Sequence, residues 1–107
     1  MREQIYKTEG YKDLKEMLKK TGEKYGDLLA YIFRTEEEGK FRHITHKEFR
    51  DDINALGTKL IDMGLKDKRI AVISENRYEW GVDYLATVTG VGVIVPLDRA
   101  LPGNEIE

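Results

Sequence analysis

The chain has 107 residues, 40% of them apolar and 36% charged, with 18 Lys and Arg set against 20 Asp and Glu for a formal net charge of −2. That length supports one compact core and not two, and the interspersed signs leave no basic block to track a phosphate backbone, so nucleic acid is not an expected partner. With no cysteine in the chain, disulfides, thiolate metal sites and a cysteine nucleophile are excluded.

Residues 1–10, MREQIYKTEG, are polar and read as an arm. They lack the apolar core of a signal peptide, and no run in the chain approaches the roughly 20 apolar residues of a membrane span. A cytoplasmic location is the expectation. From Tyr11 to Lys20, Leu14, Met17 and Leu18 recur at helical spacing, with Gly22 as the stop. LLAYIFR, Leu28 to Arg34, and FRHIT, Phe41 to Thr45, are strand-like runs flanking TEEEGK, whose Gly39 can take positive φ. They predict a β-hairpin.

Thr45 and Glu48 form a capping-box pattern at the start of the next helix. Phe49, Ile53, Leu56, Leu60 and Met63 continue it at spacings of four and three, which predicts one continuous buried stripe. Gly64 suits the left-handed position that ends a helix, with Leu65 folding back as its apolar partner. RIAVIS, Arg69 to Ser74, is apolar without alternation from Ile70 to Ile73, the pattern of a parallel strand covered on both faces. A helix should follow with Trp80, Tyr84 and Val88, and Leu85 beside them, on its buried face. GVGVIVPL then supplies a second strand closed by Pro96, which completes a βαβ unit. LPGNEIE offers Asn104 as the cap of a further helix and reads as cut off mid-element.

Few residues point to chemistry. Ser74, Glu75, Asn76 and Arg77 lie where ligands collect in open α/β sheets, outside the carboxyl end of a strand. The alternative is a helix start, with Ser74 or Asn76 as the cap and Glu75 and Glu79 at the positive helix end, and this is the preferred reading. His43 and His46 are three residues apart, but one falls in a strand and the other at a helix start, with no third ligand. Gly90 and Gly92 precede a strand, whereas a dinucleotide-binding glycine loop follows one. No catalytic, cofactor-binding or metal-binding residue is assigned.

From Leu56 to Glu107 the sequence resembles the N-terminal part of an AMP-forming acyl-CoA synthetase, of the adenylate-forming superfamily that includes luciferases and peptide-synthetase adenylation domains. The resembling features are the helix ending at Gly64-Leu65, the Ala-Val-Ile strand, Asn76 and Glu79-Trp80 entering a helix, and the Val95-Pro96-Leu97-Asp98 exit. DLKEMLKKTGEKYGDLLAYIF and HITHKEF resemble the opening helix, hairpin and second helix of the same domain, so the likeness runs from about Tyr11 onward. Asn76 to Trp80 resembles the long-chain fatty acid-CoA ligase branch. The turn Lys66-Asp67-Lys68 departs from the Gly-Asp that relatives often carry there.

The resemblance implies an α/β fold, a hairpin and helix followed by a βαβ unit, as part of a larger N-terminal domain. It also implies ATP, Mg²⁺ and coenzyme A as the cofactors of a full-length enzyme that ligates a carboxylate to coenzyme A. The phosphate loop, the Mg²⁺-binding Glu, the ribose-binding Asp and the C-terminal Lys of that family all lie beyond residue 107, so the fragment alone is expected to be inactive. An unpaired sheet edge should make it self-associate. The readings from another class are a complete small α/β interaction module without activity and a nucleotide-binding domain of a different family.

Overall fold

A computed structural model describes residues 10–106, so the expected arm lies, apart from Gly10, outside the described residues. The first helix, α1 (Leu14–Lys24), begins where Asp13 accepts a hydrogen bond from the Glu16 backbone N–H at 2.8 Å. It runs through Gly22 instead of stopping there. The reason is tertiary: Gly22 is buried against Arg50, whose Cδ would lie 2.7 Å from a Cβ at that position. The glycine serves close packing on the neighbouring helix.

Strands β1 (Leu29–Arg34) and β2 (Phe41–Thr45) form the expected antiparallel hairpin, with a register shift between Leu29 and Tyr31. Thr45 ends β2 and caps α2 (His46–Asp62). Its hydroxyl accepts the Glu48 N–H at 3.2 Å while the Glu48 carboxylate accepts the Thr45 N–H at 3.1 Å. That reciprocal pair is the capping box, and it draws the Glu48 carboxyl below the usual glutamate range. At the other end Leu65 N–H bonds Leu60 C=O and Gly64 N–H bonds Ile61 C=O, with Gly64 at φ 82°. This is the Schellman closure, and the positive φ is why glycine suits the position. The stripe along α2 is shorter than predicted. Phe49 and Ile53 are buried, Leu56 and Leu60 are half-buried, and Met63 is 61% exposed, because the packed neighbours of α2 reach only part of its length.

β3 (Arg69–Ile73) and β4 (Val93–Leu97) pair in parallel from Arg69↔Val93 to Ile73↔Leu97. Between them run α3 (Tyr78–Ala86) and a π-helical turn, Thr87–Val91. The β4 backbone enters tightly. A Cβ on Gly92 would collide with the Lys68 carbonyl, and Val93 N–H bonds that same carbonyl at 3.0 Å. Pro96 sits inside β4 opposite Val72 instead of closing it. Asn104 likewise lies within the short helical turn α4 (Gly103–Ile106) and does not precede it as a cap.

The core joins the two halves. Ile44, Phe49, Ile53, Tyr78, Val82 and Ala86 form one buried cluster, against which Leu18, Tyr31, Phe33 and Leu85 pack. Tyr78 stands in a box of Tyr31, Phe33 and Phe49, with ring centroids 5.0–5.9 Å apart across the box, and its hydroxyl donates to Asp52 at 2.5 Å. The buried face of α3 therefore carries Tyr78, Val82 and Ala86. Trp80, Tyr84 and Val88 were expected there and are only half-buried, with Trp80 stacked on Tyr84 at 5.3 Å. The helix is rotated to serve the tyrosine box. β3 departs from expectation too. It is not covered on both faces: Val72 is buried, whereas Ile73 is 45% exposed and Val93, paired with Arg69 on the same face, 59% exposed; α3 packs on β3 and the π turn on β4.

Candidate functional site

Because β3 and β4 are parallel and in register, both chains leave the sheet at the same level. Their exits, Ser74–Asn76 and Asp98–Arg99, frame an open depression of about 570 Å³ with Trp80, Pro96 and Leu97. Arg99 Nη1 donates to Glu75 Oε1 at 2.7 Å and ties the two exits together. Both side chains are well exposed, so the clasp contributes little stability. It links the two exits across the depression. Ser74 Oγ donates to the Glu75 carbonyl at 2.9 Å, and Asp98 Oδ1 accepts the Ala100 N–H at 2.9 Å. Each loop is thus braced locally before the clasp joins them.

The preferred helix-cap reading of this segment is not what the fold uses. Arg77 occupies the cap position of α3 and makes no side-chain capping bond, and neither Ser74 nor Asn76 reaches the first turn. The cap is dispensable because the adjacent Tyr78 is anchored in the ring box and on Asp52. Glu79 does stand in the first turn of α3, 3.6 Å from Arg77 Nε. Ser74, Glu75 and Asn76 line the depression instead. Asp98, Arg99 and Trp80 join them, none of which the sequence had marked as a site residue. The available signal was the parallel pairing itself, since a βαβ unit places the exit of its second strand beside the exit of its first.

The other candidates do not converge. His43 is exposed in β2 opposite Ile32, and His46 opens α2. Gly90 breaks the helical dihedrals inside the π turn, and Gly92 follows that turn into β4.

The depression can pair with and hydrogen-bond a polar ligand, but its residues do not fit a seat for ATP and Mg²⁺. The β3–α3 connection, Ser74–Arg77, has no glycine to let backbone approach a phosphate. No three His, Asp or Glu side chains converge among the described residues.

A sequence profile described as AMP-binding enzyme matches residues 18–107. A search of curated proteins found no match. Among solved structures, Klebsiella oxytoca NpsA in complex with 3-hydroxyanthranilyl-AMSN is similar at 23% identity and a TM-score of 0.76, over 91% of this chain and 19% of that one. The N-terminal subdomain of the same protein gives 23% and 0.74, over 87% and 23%. CmiS6 gives 19% and 0.74, over 92% and 25%. At these identities the likeness shows the fold. The chain spans about a fifth to a quarter of the length of those solved chains.

Proposed function

The chain belongs to the AMP-binding enzyme family, and on that premise we propose that it is the N-terminal segment of an ATP-dependent, AMP-forming ligase that joins a long-chain fatty acid to coenzyme A. In that reaction the carboxylate attacks the α-phosphorus of ATP and pyrophosphate leaves; the coenzyme A thiol then attacks the acyl carbon and AMP leaves. The observation that carries the reading is the family match across residues 18–107. The fold shared with NpsA, solved in complex with 3-hydroxyanthranilyl-AMSN, supports it, and the resemblance of Asn76 to Trp80 supports the fatty-acid branch.

The segment's own part is structural. It holds the strand-end depression where, as a general rule for open α/β sheets, ligands bind, and it performs no chemistry alone. Its bare sheet face favours self-association when it is separated from other chain. The cysteine-free composition is compatible with a cytoplasmic site of action. One observation favours a second reading for the substrate: the ligand named with NpsA carries an aryl acyl group, which makes an aryl carboxylate the rival.

ATP–pyrophosphate exchange by the full-length enzyme, run with a panel of fatty and aryl acids, tests both. Fatty-acid-dependent exchange, with none from residues 1–107 alone, is the expected result. Exchange with aryl acids only would replace the substrate, and exchange with no carboxylate would overturn the ligase reading.

A further inference from the structure

α3 starts without a local hold. Arg77 makes no side-chain capping bond, and the first-turn N–H groups of Trp80 and Gly81 share the Arg77 carbonyl at 3.2 and 3.4 Å, at and beyond the usual backbone range. The first turn is therefore placed by what Tyr78 touches. Three rings, Tyr31, Phe33 and Phe49, surround the Tyr78 side chain. Burial among rings is non-directional, so it does not fix how far the Tyr78 ring slides along Phe33, to which it lies nearly parallel at 15°. The hydrogen bond from the Tyr78 hydroxyl to Asp52 Oδ2 supplies that direction.

From Tyr78 the placement passes to the strand exits. Trp80, two residues on, lines the depression, and so do Ser74–Asn76, the stretch between the end of β3 and Arg77. Gly81 brings the same turn against β1, since a Cβ there would lie 2.9 Å from the Tyr31 hydroxyl. On its other side the loop is tied to the β4 exit by the Glu75–Arg99 clasp, whose side chains are each 64% exposed. An exposed ion pair holds less firmly than a part-buried hydrogen bond from a hydroxyl to a carboxylate. Of these two ties, the one to Asp52 governs.

We propose that Tyr78 and Asp52 are positioning residues for the strand-exit depression, their hydrogen bond setting the first turn of α3 and, through it, Trp80 and the Ser74–Asn76 loop. The proposal rests on the depression being a ligand site of the ligase reading. Trp80 is the one tryptophan of the chain, so its fluorescence reports the depression without any activity. Acrylamide quenching of residues 1–107 under native conditions should rise about twofold in Tyr78→Phe as that wall loosens. Asp52→Ala should match it, whereas Asp52→Asn, which keeps an acceptor oxygen, should stay near the wild-type value. The double variant Tyr78→Phe/Asp52→Ala should be no worse than either single change. Thr45→Ala, which loses stability at the cap of α2, should leave Trp80 unchanged. In the full-length enzyme Tyr78→Phe should raise the KM of one substrate about tenfold while kcat stays within about twofold. Wild-type quenching in Tyr78→Phe, an equal rise in Thr45→Ala, or additive effects in the double variant would overturn the proposal. A moved Trp80 with every KM unchanged would instead overturn the depression as a ligand site, and an inactive wild type would overturn the ligase reading alone.

Discussion

The region from α1 to the end of α2 is closed by its own sequence, whereas the region from β3 to β4 is closed only by contacts from elsewhere. In the first, Asp13 and the Thr45–Glu48 box start helices, and Gly64–Leu65 ends one with two backbone bonds. In the second, α3 begins without a side-chain cap and leans on Tyr78, which reaches back to Asp52 and the hairpin rings. The sheet there is parallel, a type found almost only with both faces covered, yet one face is bare among the described residues. Local closure belongs to elements whose caps and turns are supplied within a few residues of their own ends. Borrowed closure belongs to elements that carry a site and expect neighbours.

The largest expected effect follows from the core that both regions share. Phe49 is 7% exposed, and truncating a buried Phe to Ala costs about 3–5 kcal/mol. Phe49→Ala should lower the urea midpoint sharply, whereas Val93→Ser on the bare face should leave it nearly unchanged. Equal losses would erase the contrast.

Tyr78→Phe comes next. It removes one hydrogen bond to a carboxylate while keeping the ring, an expected loss of about 1.5–3 kcal/mol. Burial, and then Asp52, push the Tyr78 hydroxyl well above the usual tyrosine range. The bond's contribution is accordingly full below that ordinary range and lost as pH rises through the raised value. Denaturation at neutral and strongly alkaline pH should show the wild type converging on the variant.

A cap comparison is smaller. Thr45→Ala should cost about 1 kcal/mol, and Asn76→Ala should stay within about 0.5 kcal/mol, since Asn76 caps nothing. Thermal melts of the two variants decide it. A loss at Asn76 equal to that at Thr45 would restore the cap reading of the strand exit.

Acid titration should separate the regions by sign. The Glu48 carboxyl is lowered by the Thr45 N–H and hydroxyl, so its contribution is present above the ordinary glutamate range and lost as pH falls through the lowered value. Asp83 on α3 is raised by burial and then by Glu79, so its contribution is present below the ordinary aspartate range and lost as pH rises through the raised value. Glu48→Gln should flatten the acid loss of stability, and Asp83→Asn should remove the opposing gain. The readout is the denaturation midpoint from pH 6 down to about pH 3, and a change of the same sign in both variants would contradict the assignment.

What the sequence made legible follows the same division. The hairpin, the capping box and the Gly64–Leu65 closure depend on residues within a few positions of one another, and all three are present. Gly22 looked like a stop because its partner, Arg50, is 28 positions away in a different helix. Trp80 outranks Tyr78 in apolar size, so periodicity alone centred the buried face on it, while the box of Tyr31, Phe33 and Phe49 selected Tyr78. Ser74–Arg77 was placed correctly at a strand end, but its partners Asp98 and Arg99 enter only through the parallel register. Apolar continuity in β3 recorded that the strand is built for cover on both faces, without recording what supplies it.

Sedimentation equilibrium of residues 1–107 at micromolar concentration tests the borrowed closure most directly, with Val93→Lys as the paired sample. The wild type should associate through the bare β3–β4 face, and the lysine variant should be monomeric with its melting temperature little changed. A wild type that stays monomeric and melts cooperatively would contradict the account, because the parallel pair would then be complete as it stands.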